Sequence, residues 1–238
     1  MQYQFIPITD GIEAAISPEH RFTTDSVLLA RFARPARDDT AAEFCCGCGA
    51  VSLLWFGRGE TPPFRVTGFE LMQEAVELFE LSIEKNGLAE TVNAVRCDLK
   101  EYRSIPQLKS GGFDLVVCNP PYFEEGFGRG ARKAARQETE LDIYDVCRAA
   151  GYALRFGGRF CVCFKPQRHP DLFEAMRQSA IEPKTIRPVL AHEGEQPHLM
   201  LVEGRRGGKR QLNWLPAMTI YGPDGDFTAE YREIYRMR

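Results

Sequence analysis

The chain has 238 residues, 44% of them apolar and 26% charged, with a formal net charge of −3. That length builds one domain with a sizeable core and leaves little room for two. The charge excludes a polycation, so any nucleic-acid contact must come from a local basic face.

The start, M-Q-Y-Q-F-I-P-I-T-D, has no basic n-region and no long apolar stretch, so no secretory signal is expected. No run approaches the roughly 18 apolar residues of a membrane span, and a cytosolic protein is expected. Residues 1–22 read as an accessory hairpin or lid. In R-F-T-T-D-S-V-L-L-A, Thr24 reads as a helix N-cap with Asp25 favourable in the first turn. Ala41 to Phe44 is a short apolar strand, followed by the turn C-C-G-C-G and a helical start at A-V-S-L-L-W-F. Arg65 to Glu70 is a second strand. The stretch from Leu71 to Gly87 is helical, with Met72, Ala75, Val76, Phe79 and Ile83 on one face and Asn86-Gly87 as its stop. Val92 to Asp98 and Phe113 to Asn119 are the third and fourth strands. Asp142 to Arg155 is a helix with Ile143, Val146, Cys147, Ala150 and Leu154 on one face. Gly157-Gly158 turns the chain into a fifth strand, Arg159 to Phe164. Two more follow at Thr185 to Val189 and Leu199 to Glu203. This alternation predicts an α/β fold with a mainly parallel sheet, residues 23–204 being its core and 205–238 an appendage of the same single domain.

The eight cysteines do not read as disulfides. Cys97, Cys118, Cys161 and Cys163 lie in strand-like runs, where a reduced thiol is a small hydrophobe. Cys45, Cys46 and Cys48 lack a second Cys or His pair at ligand spacing, so they read as small residues in a tight loop and no metal is predicted.

A glycine turn between first strand and first helix, Gly47-Cys48-Gly49, brings backbone close to a ligand at the helix N-terminus. Glu70, at the end of the next strand, can accept both hydroxyls of a ribose. Asp98, at the end of the third, can take an adenine amine. Each acid alone also fits a plain strand-end turn; together, after the glycine turn, they favour a nucleoside cofactor. Ser52 stands where a pyrophosphate-binding G-x-G-x-x-G would have its third glycine, a clearance that S-adenosylmethionine (SAM) does not need.

The run F-D-L-V-V-C-N-P-P-Y carries the chemistry. Asn119 and Pro120 both precede a proline, which makes the turn stiff. The Pro120 carbonyl and the Asn119 side-chain oxygen are then two fixed acceptors suited to a planar NH₂ group. Tyr122 adds a flat face on which a base can stack. Holding the amine hydrogens out of plane would localise the nitrogen lone pair and aim it at a methyl donor. A strand ending in a Pro-Pro turn accounts for the prolines but not for Asn119 and Tyr122.

The glycine turn, acidic strand ends and N-P-P-Y, in that order, resemble the Rossmann-like amino-methyltransferases. R-F-T-T-D-S-V-L-L-A, F-D-L-V-V-C-N-P-P-Y-F, A-A-R-Q-E-T-E-L and H-L-M-L-V-E-G-R-R-G-G-K extend the resemblance to the bacterial tRNA(Val) adenine-N6 methyltransferases, which modify the adenine 3′ of the anticodon. The resemblance implies a Rossmann-like class I methyltransferase fold: a seven-stranded, mainly parallel sheet with helices on both faces. It implies SAM as cofactor, a tRNA substrate, and Thr23, Thr24 and Asp25 at the rim between the two. The expected cofactor set is Glu43, Gly47, Gly49, Glu70, Leu71, Asp98, Leu99 and Asn119, with Glu43 supporting the glycine turn from beneath. Asn119, Pro120 and Tyr122 are the expected catalytic residues, and Pro121 lines the base pocket with Tyr122. Gln137 stands where the family's A-R-x-E stretch has a histidine.

Arg129, Arg132, Lys133 and Arg136 follow the clamp in a glycine-interrupted run, and Arg205, Arg206, Lys209 and Arg210 form a second cationic group. Charge runs are usually solvated faces, but beside a base clamp they fit phosphate contacts to a tRNA whose target base is splayed out. The same clamp also suits a protein glutamine amide or a guanine in ribosomal RNA. An RNA-binding module with a vestigial cofactor pocket is the reading without catalysis.

Overall fold

The computed structural model describes residues 2–120 and 141–235. Its centre is a sheet whose seven long strands are β3 (Thr40–Phe44), β4 (Arg65–Glu70), β5 (Val92–Arg96), β6 (Phe113–Cys118), β7 (Leu154–Phe164), β8 (Ile181–Leu190) and β9 (Leu199–Arg206). Two-residue strands β10 (Asn213–Trp214) and β11 (Met218–Thr219) both pair with the outer edge of β8. The order is β10-β8-β9-β7-β6-β3-β4-β5, and only β9 runs against its neighbours. The predicted seven-stranded, mainly parallel sheet is therefore present, widened by two short edge strands.

The strands are apolar on both sides because helices cover both faces. Leu115, Val116, Val117 and Cys118 of β6 are all 0% exposed. One face packs α1 (Thr24–Ala33), α2 (Ala50–Leu54), α3 (Gln73–Lys85) and the C-terminal α6 (Ala229–Tyr235). The other packs α4 (Ile143–Ala153) and α5 (His169–Gln178). The chain leaves β3, adds β4 and β5 on one side, then crosses to place β6 on the other. Brackets of this kind create a crevice at the carboxyl ends of the two central strands, here β3 and β6.

Several boundaries differ from the sequence expectation. The third helix begins at Gln73, because the Glu70 carboxylate accepts the Leu71 and Met72 N–H groups and keeps that stretch extended. Met72 is thus 54% exposed and not on the buried face. Helix α4 follows Asp142, which caps it with Asp145 reciprocating, and ends at Ala153, two residues before the expected Arg155. Gly157-Gly158 lies inside β7 as an irregularity opposite Phe113–Leu115, so the strand begins at Leu154. The N-cap of α1 is Thr23, not Thr24: Thr23 is extended and its carbonyl accepts from Ser26 N–H, with no side-chain cap. Helix α5 was not anticipated.

Residues 4–16 form a hairpin, β1 (Gln4–Thr9) with β2 (Ile12–Ile16), outside the main sheet. Asn86 at the end of α3 binds β2 as a strand would, accepting from Glu13 N–H at 3.0 Å and donating to Glu13 O at 2.7 Å. Ala15 N–H donates to Ser82 Oγ at 2.8 Å, and Ala14 and Ala15 are fully buried.

Candidate active site

The glycine turn follows β3 directly. Gly47 and Gly49 have φ of +52° and +78°. The reasons for the two glycines differ. A Cβ on Gly49 would lie 2.1 Å from the Phe79 ring, so its hydrogen lets α3 close against the turn; a Cβ on Gly47 would meet nothing within 4 Å, so that side of the turn is open to a ligand.

Two carboxylates hold this turn. Glu70 Oε2 accepts from Gly47 N–H at 2.8 Å, and Oε1 accepts from Leu71 and Met72 N–H at 2.9 and 3.0 Å. Glu43, 3% exposed, lies beneath, where its Oε2 accepts from Ser52 N–H at 2.8 Å and from the Ser52 hydroxyl. The serine at the third-glycine place thus ties α2 to β3. Burial lifts the Glu43 carboxyl to about 7, against the opposing Ser52 hydrogen bonds. Burial likewise pushes the neighbouring Cys48 thiol up to about 12.

Asp98 is exposed and its Oδ1 accepts from Lys100 N–H at 2.9 Å, capping a short 3₁₀ turn over Leu99–Ser104. The Leu99 side chain is in the core at 4% exposure, so only its backbone can face a ligand. Leu71 and Met72 stand 55% and 54% exposed beside Glu70, two apolar side chains at the open edge. Open backbone at Gly47, a ribose-sized acceptor in Glu70, an acid at the next strand end and apolar surface between them fit the nucleoside half of SAM. Neither acid is idle without it, since both hold backbone N–H groups.

Across the crevice, Asn119 continues β6, and the register Phe44↔Cys118 sets it beside the start of the glycine turn. It is half-buried and Pro120 is buried. Asn119 Nδ2 donates to Ser26 Oγ at 3.1 Å, and its Oδ1 accepts from Cys163 Sγ at 3.0 Å. The first turn of α1 therefore lies over this strand end. Asp25 is in that turn; burial raises its carboxyl, while Lys165 and His198 pull it back down. Thr24 hydrogen-bonds the Tyr235 hydroxyl of α6. Sequence reasoning missed Ser26, Cys163 and Tyr235. Ser26 was visible only as part of R-F-T-T-D-S, and nothing local marks the other two.

Pro121, Tyr122, Arg129, Arg132, Lys133, Arg136 and Gln137 lie outside the described residues. The second cationic group lies towards the other end of the strands: Arg205 pairs with Arg159 in the middle of β7, whereas Leu201 pairs with Cys163 near its carboxyl end. Four residues of strand separate the two levels, roughly 13 Å. Arg205 and Arg206 also donate to the carbonyls of Gly157 and Leu154. A cavity of about 660 Å³ between α1, α6 and β8–β9 contains none of the expected residues. Two of its arginines hold the C-terminal segment, Arg31 bonding Ile234 O at 3.1 Å and Arg187 bonding Pro216 O at 3.2 Å.

The methyltransferase small domain model matches residues 19–179, which include the glycine turn, both acidic strand ends and Asn119. The chain belongs to the methyltransferase small domain family. Similar proteins include the tRNA1(Val) (adenine(37)-N6)-methyltransferases of Dickeya chrysanthemi strain Ech1591 and Escherichia coli O157:H7. The first is 29% identical over 90% of this methyltransferase and 85% of its own length, the second 24% over 89% and 84%. Among solved structures, a protein of Agrobacterium tumefaciens described as a predicted O-methyltransferase superposes with a TM-score of 0.71 at 21% identity. It covers 90% of this methyltransferase and 96% of the other chain. A geranyl diphosphate methyltransferase in complex with SAM has the same fold at a TM-score of 0.55 and 15% identity, over 76% and 85% of the two chains.

Proposed function

We propose that this methyltransferase transfers a methyl group from SAM to the N6 amine of an adenine in tRNA, the base being adenine 37 of tRNA(Val) as in its similar relatives. One observation carries the reading: Asn119, first residue of N-P-P-Y, stands half-buried at the strand switch point, one strand from the glycine turn. SAM, when bound, supplies a sulfonium methyl open to in-line displacement. Gly47, Glu70, Asp98 and the Leu71 and Leu99 backbones hold its nucleoside half, and Glu43 keeps the turn in shape from below. Three of the roughly four acceptor positions of Glu70 already hold N–H groups, so ribose hydroxyls share them or displace the Gly47 N–H.

Asn119 Oδ1 and the Pro120 carbonyl accept the two hydrogens of the target amine. They draw these out of the ring plane, which gives the nitrogen back its lone pair. Both interactions strengthen as the nitrogen becomes positive, so they raise turnover as well as affinity. Tyr122 and Pro121 line the base, with Thr24 and Asp25 at the rim. Arg129, Arg132, Lys133 and Arg136 take phosphates. A strong general base is not required, because the methylated nitrogen is itself acidic. Such a substrate is met in the cytoplasm, where we place the enzyme.

Incubation with labelled SAM and total unmodified tRNA, followed by nucleoside analysis, tests this. Labelled N6-methyladenosine is the expected product. In parallel incubations with ribosomal RNA and with a glutamine-bearing protein in place of tRNA, label found only in a guanine or a glutamine would move the clamp to those substrates instead.

A further inference from the structure

Asn119 shares a face of β6 with Leu115 and Val117, the face that α1 covers. Its carboxamide is gripped from two directions. Ser26, 7% exposed, accepts from Nδ2 at 3.1 Å, and the fully buried Cys163 of β7 donates its S–H to Oδ1 at 3.0 Å. A carboxamide has one end that accepts and one that donates, and a flip exchanges them. Only the accepting end can serve a substrate N–H. A thiol is a weak donor and a poorer acceptor still, so Cys163 favours the flip that turns the oxygen towards β7, and the serine hydroxyl takes the amide hydrogen. The oxygen has a second lone pair, which remains for the incoming amine.

We propose that Cys163 and Ser26 are positioning residues that fix the carboxamide flip of Asn119. This rests on Asn119 being the acceptor for the target amine. Cys161 supplies the comparison: it is equally buried on the same face of β7, but its sulfur faces Glu203 at 3.9 Å. Side-chain volume is therefore removed equally by Cys163→Ala and Cys161→Ala, while only the first frees Asn119.

The experiment measures kcat, KM for tRNA, SAM affinity by calorimetry, and Tm for Cys163→Ala, Cys163→Ser, Ser26→Ala and Cys161→Ala. In parallel, the Asn119 carboxamide proton pair is followed by NMR, assigned through its loss in Asn119→Ala. The expected result is a roughly tenfold fall in kcat for Cys163→Ala and Ser26→Ala, about the net effect of one hydrogen bond. SAM affinity and KM should hold, Cys163→Ser should recover most of the rate, and Cys161→Ala should resemble the wild type. The Asn119 proton pair should be shifted or broadened in Cys163→Ala and restored in Cys163→Ser. A Cys163→Ala enzyme no slower than Cys161→Ala overturns the proposal. So does a Cys163→Ser variant that melts below Cys163→Ala, because its hydroxyl has then found no acceptor. An Asn119 signal that responds as expected in a protein that methylates no adenine would leave the positioning intact and dismiss the assigned reaction.

Discussion

Asn119 and Glu70 sit on opposite banks of one crevice, and their substitutions should separate cleanly. Asn119→Ala removes a bond that matters most in the transition state, so kcat should fall roughly 10²-fold or more. SAM binding by calorimetry should survive. Glu70→Ala should do the reverse, weakening SAM roughly tenfold to a hundredfold, the range for hydrogen bonds to a charged group. Equal loss of SAM affinity in both variants would remove the division of labour. Glu43 gives a third test. Burial lifts its carboxyl from 4.5 to about 7. Between those values the folded chain keeps a proton that the unfolded chain has released. Stability from that proton is full below the lower value and is lost as pH rises through about 7. Tm should therefore decline from about pH 5 to about pH 8 in the wild type, and Glu43→Gln, which cannot titrate, should flatten that slope.

At the scale of elements, the two turn glycines predict opposite phenotypes. Gly49→Ala drives a Cβ into Phe79 at φ +78° and should cost about 2–4 kcal/mol, read as a lowered Tm with m unchanged. Gly47→Ala meets nothing and should cost only about 1–2 kcal/mol for its φ, while SAM affinity drops because the new methyl faces the ligand side. The N-terminal hairpin is tied to α3 through Asn86 and Ser82. Asn86→Ala should speed amide exchange across residues 4–16 and leave turnover near the wild-type value. Coincident loss of activity would give the hairpin a catalytic part. The C-terminal segment is likewise an integrated element. Rings run in contact from His192 through Tyr221, Phe227 and Tyr231 to Tyr235, at 5.3, 5.2, 4.8 and 4.8 Å, the last pair tilted, and end at Thr24.

For the whole molecule, the proposed tRNA substrate requires an acidic chain to concentrate its cations. Charge reversal at Arg132 and Lys133 should weaken tRNA binding and flatten its salt dependence by about two units of slope. Reversal at Lys209 and Arg210, which follow the end of β9 away from Asn119, should do much less. An unchanged salt slope in the first variant would separate the basic loop from RNA binding.

What the sequence determined by itself was local and periodic. Strands buried on both faces, such as Leu115 to Cys118, announce themselves as unbroken apolar runs. The glycine turn, the strand-end acids and N-P-P-Y each hold their meaning within a few residues, because backbone restriction acts between chain neighbours. Tertiary structure decided which side chains reach them. Ser26 and Asn119 are 93 residues apart and Cys163 is 44 from Asn119, so no window of sequence contains the grip on the carboxamide. The level of the second cationic group was also hidden, since it follows from β9 running against β7. Helix starts were legible only to within a residue or two, because a carboxylate such as Glu70 competes for the same N–H groups that would otherwise begin the helix. Short-range sterics are written along the chain, whereas the partner of a polar group is chosen only when the sheet closes.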